Sequence, residues 1–199
     1  MKNPPRAARL LLLLPWLALL AGCCANDTYD CQDLQQDSIY LRFYQEPGKS
    51  KAFSDSEIDT VYLMRYARTK TNGKYNPASR RPTDSVSLVR ATGWSNALLQ
   101  QAPGFSDKTV IVLSNTSPFP ASGPSGKLSS FSYALLVAPN RRGPRYVFRL
   151  DSVRLRGQFK GDGCSTCYQN TLKRVIQGRD STDVTETGGV PKPLLFVKP

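Results

Sequence analysis

The chain of 199 residues contains no histidine. This removes the commonest general base and the commonest zinc ligand together. Ser-His-Asp and Cys-His arrangements and the His-Glu-x-x-His zinc motif are therefore excluded. Glutamate is scarce: Glu46, Glu57 and Glu186 are the full set. A hydrolase built on this chain would need a Ser-Lys pair or two carboxylates facing one cleft. No local pattern marks such a pair, and Asp151 and Asp162 would meet only through an accident of folding. Gly161-Asp162-Gly163 is too short for a phosphate-binding loop. No cofactor is expected, and no catalytic residue can be named.

Long apolar runs are also missing. The longest, Leu10 to Leu20, is too short to span a bilayer as a helix and is interrupted by Pro15. Lys2, Arg6 and Arg9 precede it, and Leu20-Ala21-Gly22-Cys23 closes it. A positive start, a short apolar core and small residues at the cut form a secretory signal. The last four residues resemble the lipobox of bacterial lipoproteins. That resemblance covers the first two dozen residues and implies cleavage between Gly22 and Cys23, a thioether lipid on Cys23 and N-acylation of the same residue. It further implies an exported protein held in the cell envelope. Cys24 follows the acylated position, where Asp would retain such a protein at the inner membrane, so the outer membrane is the expected address. Residues 1–22 are read as the cleaved signal, 23–36 as a polar tether, and 37–199 as a single β-rich domain.

Cleavage removes three basic residues and no acidic ones, so 27 cations become 24 against 15 anions, and the mature chain carries +9. Such a balance favours anionic neighbours, among them lipid headgroups and acidic glycans. Nucleic acid is not an expected partner for an anchored envelope protein. The plainer reading of the charge is a solvated surface.

Along the mature chain a short signature recurs. Asp37-Ser38-Ile39-Tyr40-Leu41, Asp59-Thr60-Val61-Tyr62-Leu63, Asp84-Ser85-Val86-Ser87-Leu88 and Asp151-Ser152-Val153-Arg154-Leu155 each read Asp, hydroxyl, β-branched, variable, Leu. The alternation predicts half-buried strands, with Ile39, Leu41 and Phe43 facing in and Tyr40 and Arg42 facing out or lying on an edge. The Asp-hydroxyl pairs suit local turns at strand starts better than calcium ligation, which gathers several acids close together. Further strands are predicted at Thr109–Leu113, Phe131–Val137, Tyr146–Leu150 and Leu194–Val197. Tyr168–Ile176 is expected to pair with Asp183–Thr185 across Gly178-Arg179-Asp180. A short helix is expected over Asn96–Gln101, capped by Ser95 and ended by Pro103-Gly104. Seven to nine short strands with turn-rich connections predict an all-β, mostly antiparallel sandwich or barrel-like domain with at most one or two short helices.

Of the five cysteines, Cys23 is assigned to lipid and Cys24, Cys31, Cys164 and Cys167 remain. Cys164-Ser165-Thr166-Cys167 has redox-motif spacing but lacks the helix start that lowers a thiol's pKa. A four-thiolate metal site is disfavoured by the unequal spacing and by an oxidising compartment. Disulfides are the expected use, and the three pairings of four cysteines stay open.

Basic residues cluster at Arg65–Lys70, Arg80-Arg81, and Arg141-Arg142 with Arg145, and tyrosines lie near them. Tyr66, Trp94, Arg141, Arg142 and Arg145 are the candidate binding residues, because Arg and aromatic side chains suit interfaces and anionic glycans. The bland alternative is the wet face of a sheet for the arginines and a packing role for Trp94. The sequence thus points to a lipid-anchored, non-catalytic binding or accessory module for an envelope protein or glycan. Two other readings stay open: a carboxylate-dependent, glycan-active enzyme, and a thiol redox or metal protein using Cys164 and Cys167.

Overall fold

The computed structural model describes residues 37–71, 74–78, 80–89, 110–120, 127–138, 145–161, 166–187 and 190–199. The described chain is almost all β, and its sheets form an open β-sandwich rather than a closed barrel. In chain order the strands are β1 (Ile39–Phe43), β2 (Thr60–Thr71), β3 (Lys74–Ala78), β4 (Asp84–Val89), β5 (Val110–Leu113), β6 (Phe131–Val137), β7 (Tyr146–Leu150), β8 (Ser152–Gly161), β9 (Thr166–Gln177), β10 (Asp180–Asp183) and β11 (Leu194–Phe196). One short 3-10 turn covers Leu128–Ser130. The helix expected at 96–101 lies outside the described residues.

The twelve-residue strand β2 organises a five-stranded antiparallel sheet. Its outer half pairs with β3, its inner half with β4, and its other edge with β6, which in turn pairs with β7. A second sheet runs β11-β1-β5, with β1 and β11 parallel. The third runs β10-β9-β8. Asp151 alone separates β7 from β8, so the chain turns from one sheet into another within a single residue. Its N–H donates to the Ile176 carbonyl at 2.8 Å and its carboxylate accepts the Gly178 N–H, which ties this corner to the β9–β10 turn.

Alternation dictates the core. Ile39, Leu41 and Phe43 of β1, Val61 and Leu63 of β2, and Tyr133, Leu135 and Val137 of β6 all point inward, where Val153, Val175, Leu194 and Phe196 from the other sheets meet them. Phe53 stands edge-on to Phe43 at 5.2 Å and to Tyr146 at 5.5 Å, so the loop after β1 seals one end of this core.

Three expectations are corrected. Tyr40 is buried, not outward: β1 is the central strand of its sheet, and Tyr40 packs with Val110 and Val112 in a second apolar cluster on the opposite face. The strand opposite β9 is Asp180–Asp183, not 183–185, because Gln177 pairs directly with Asp180 and leaves a two-residue turn. Gly178, at φ +60°, supplies the left-handed first position that such a turn requires. Arg65, grouped by sequence with a surface cluster, is only 5% exposed. Its inward position on β2 places the guanidinium between the rings of Phe119 and Phe131, at 4.8 and 4.9 Å, and 3.1 Å from the Asp84 carboxylate.

Candidate interaction surface

The five-stranded sheet has two faces of different character. On β2 the odd residues enter the core, so Tyr62, Met64 and Tyr66 lie on the outer face. The register sets these against Leu136, Ala134 and Ser132 of β6, and against Val147 and Arg149 of β7. Tyr62, Leu136 and Val147 form one continuous cross-strand row, flanked by Ser87 of β4. Tyr62 is 38% exposed and Val147 46%. In the next row Met64, buried Ala134 and exposed Arg149 stand side by side, and the Tyr66 hydroxyl donates to the Met64 sulfur at 3.6 Å. Four strands and seven residues of β2 give a patch about 14 Å wide and about 20 Å long. This is the size of an interface's apolar centre, with the Tyr, Met and Arg content that marks such centres.

A separate open groove of about 500 Å³ lies at one end of the sandwich, between the loop after β1 and the C-terminal tail. Its polar lining comes from Gln45, Glu46, Lys49, Ser54, Asp55 and Lys198. Beside it Glu57 accepts hydrogen bonds from the Ser54 N–H and hydroxyl, both at 2.9 Å, and from Lys198 at 2.6 Å. Arg145 approaches the same carboxylate at 3.5 Å. Burial pushes the Glu57 carboxyl upward, but the Lys198 and Ser54 hydrogen bonds and the Lys198 charge outweigh it and hold it down at about 2. Glu57 is thus a fixed anion that pins the tail to the loop. Glu46 and Asp55 do face one groove, yet both are exposed; Glu46 accepts from Tyr44, and Asp55 from Gln45 at 2.8 Å.

The third glutamate belongs to a buried ion pair. Lys173 of β9, 1% exposed, donates from Nζ to Glu186 Oε1 at 2.8 Å and to the Ser38 carbonyl at 2.9 Å. Burial, with the Glu186 charge nearby, pushes the Tyr40 hydroxyl up to about 12. Next along the chain, the Asp37 carboxylate accepts from Asn115 and Asn170, both at 2.9 Å. These contacts cross-link β1, β9, the loop after β5 and the segment after β10, and every charged group in them faces a counter-charge or amide, which is the arrangement of a structural network. Among the described residues no three His, Cys, Asp or Glu side chains gather into a metal-binding group.

The repeated Asp residues serve more than local turns. Asp84 accepts the N–H of the adjacent Ser85 at 2.8 Å, the local pattern the sequence suggested. Asp37 and Asp151 instead bind partners far along the chain.

Of the residues singled out by sequence, Tyr66 lies half-buried on the outer face of β2. Arg145 precedes β7 and sits over the Tyr146 ring at 5.3 Å while pairing with Glu57, so it belongs to the loop end rather than to the patch. Cys167 is buried and disulfide-bonded. Trp94, Arg141, Arg142, Gly22, Cys23, Cys24, Cys31 and Cys164 lie outside the described residues. Sequence reasoning placed Tyr62 among the tyrosines near the basic clusters without selecting it, and missed Met64, Leu136 and Val147. Both faces of β2 are apolar enough that alternation alone does not say which faces water, and Arg65 points to the wrong answer.

No protein-family model, no curated protein and no solved structure matches the chain. Among the described residues no helix is long and apolar enough to cross a membrane.

Proposed function

We propose that the protein is a lipid-anchored, non-catalytic accessory module of a bacterial cell envelope, and that it docks a partner protein on the outer face of its central sheet. The lipid on Cys23, and the outer membrane as its site, follow from the lipobox resemblance. The docking role rests on one observation: the row Tyr62–Leu136–Val147, in which Tyr62 and Val147 are exposed and Leu136 is half-buried, with Met64 and Arg149 beside it, on a sheet whose other face already fills the core. An apolar row of this kind costs solubility unless something covers it. The absence of histidine and the paired state of Glu57 and Glu186 support a binding role over catalysis. A buried, bridged Cys167 supports a structural use of cysteine over thiol redox or metal work.

The test is crosslinking in intact cells, followed by affinity purification, of the native chain beside Val147→Glu. The expected result is a stoichiometric envelope protein recovered with the native chain and lost with the variant, whose thermal midpoint is unchanged. No partner, or equal recovery with both chains, overturns the docking assignment and moves the case to a glycan ligand. Mass spectrometry of the N-terminal peptide tests the anchor separately: Cys23 should carry diacylglyceryl and acyl groups, and an unmodified Cys23 refutes it.

A further inference from the structure

The β8–β9 ladder runs past the core that supports its base. Val153↔Val175 and Leu155↔Lys173 are inward pairs held by that core. Strand β10 pairs only with Arg174–Gln177 of β9. Among the described residues, the stretch from Arg156↔Leu172 to Gly161↔Thr166 is therefore a two-stranded ribbon. Such ribbons are marginal in water on their own. Here Tyr168 lies over Gly157 so closely that a Cβ there would sit 2.6 Å from its ring, and Phe159 stacks edge-on against Tyr168 at 5.4 Å. The disulfide at Cys167 adds a covalent restraint. Asn170 ties the base of the ribbon to Asp37, and beyond it the two strands hold each other through these cross-strand contacts.

Its surface chemistry is unusual for a solvated edge. Phe159 is 74% exposed, more than any other large apolar side chain described. It continues the inward face of β8 beyond Val153 and Leu155, and among the described residues no strand lies beneath it. On the other face Arg154, Arg156 and Lys160 alternate along β8, and Arg154 is paired directly with Arg174. Like charges placed opposite one another are unfavourable in isolation. Asp183 relieves Arg174 from the β10 side, but the described ribbon itself carries no acid. The described ribbon thus carries an aromatic ring on one face and cations on the other.

We propose that this ribbon is a second, non-covalent membrane contact: it docks on an anionic lipid surface, with Phe159 at headgroup depth and Arg156 and Lys160 on the phosphates. An aromatic ring suits the bilayer interface, and long cationic side chains reach headgroups while their stems stay apolar. Charge complementarity favours an anionic bilayer, and the contact uses a different sheet from the docking face, so each assignment stands or falls alone.

The test uses the chain from residue 23 onward carrying Cys23→Ser, which lacks signal and acyl groups; all core residues lie within 39–196. Binding is measured by sedimentation with vesicles of phosphatidylcholine alone and of phosphatidylcholine with about one third phosphatidylglycerol, at low and high salt. The expected result is binding to the mixed vesicles, weak binding to phosphatidylcholine, and loss in high salt. Phe159→Ser should weaken binding about tenfold, and Arg156→Gln and Lys160→Gln about fivefold each. These side chains are exposed, so an unchanged unfolding midpoint shows that the variants are folded. No binding to mixed vesicles, equal binding to both vesicle types, or full binding by Phe159→Ser overturns the proposal. Val147→Glu should bind vesicles as the parent does; its loss of vesicle binding would place the lipid contact on the docking face instead.

Discussion

Glu186→Gln should destabilise the protein more than Lys173→Met. Lys173 is 1% exposed and its ammonium sits 2.8 Å from Glu186 and 2.9 Å from the Ser38 carbonyl. Removing one partner of a buried ion pair costs about 3–5 kcal/mol, because a charge is left in a low-dielectric site. The Glu186 side chain is 18% exposed, so water reaches part of the pair and the expected loss for Glu186→Gln is about 2–3 kcal/mol. Lys173→Met removes the buried cation itself and keeps most of the volume. It leaves Glu186 able to hydrate at the surface, and about 1–2 kcal/mol is expected. In the double variant the buried charge is gone, so its loss should be smaller than the sum of the two single losses. The assay is urea unfolding followed by tyrosine and tryptophan fluorescence, with slopes compared to confirm the same transition. A Glu186→Gln loss below about 1 kcal/mol, or a Lys173→Met loss larger than that of Glu186→Gln, would refute the claim that this pair holds the start of β1, β9 and the segment after β10 together.

Further outcomes follow from other contacts. Glu57 is held at about 2, below its ordinary value, so its contribution is present above the unfolded carboxylate range and is lost as pH falls toward 2. Acid titration of stability should show a decline of about 1–3 kcal/mol across that window that Glu57→Gln lacks; identical acid profiles refute it. Gly157→Ala would place a Cβ 2.5 Å from the Gln169 carbonyl, so amide exchange should accelerate over 157–169 while the core stays protected. Unchanged exchange there means the close approach is absent in solution. Arg65→Ala should cost about 3 kcal/mol and Arg65→Met about 1, since methionine refills the space between Phe119 and Phe131 without a buried charge; equal losses contradict this.

Strands with clean alternation were legible from sequence alone. Ile39, Leu41 and Phe43 announced β1, and the run Val110–Leu113 announced a buried strand. What periodicity could not reveal was the covering of second faces. Tyr40 reads as outward, yet on its face of the sheet it packs beside Val110 and Val112 of β5 and near the Glu186 charge. Arg65 reads as solvated until Phe119 arrives from another loop to stack on it. The same limit hid the proposed docking face: Tyr62, Leu136 and Val147 are far apart in sequence and become a row only through strand register. The Lys173–Glu186–Ser38 network was equally invisible, because it joins β9, the segment after β10 and the start of β1 across the fold. The groove acids were nameable as scarce residues, but their exposure and partners were not.

The measurement that bears most directly on the central claim is site-specific photocrosslinking in cells from position 147, on the docking face, and from position 179, on the exposed β9–β10 turn. The account predicts a single abundant adduct with an envelope protein from 147 and none of that mass from 179. The same adduct from both positions, or none from 147, would contradict the assignment of the outer sheet face as the docking surface.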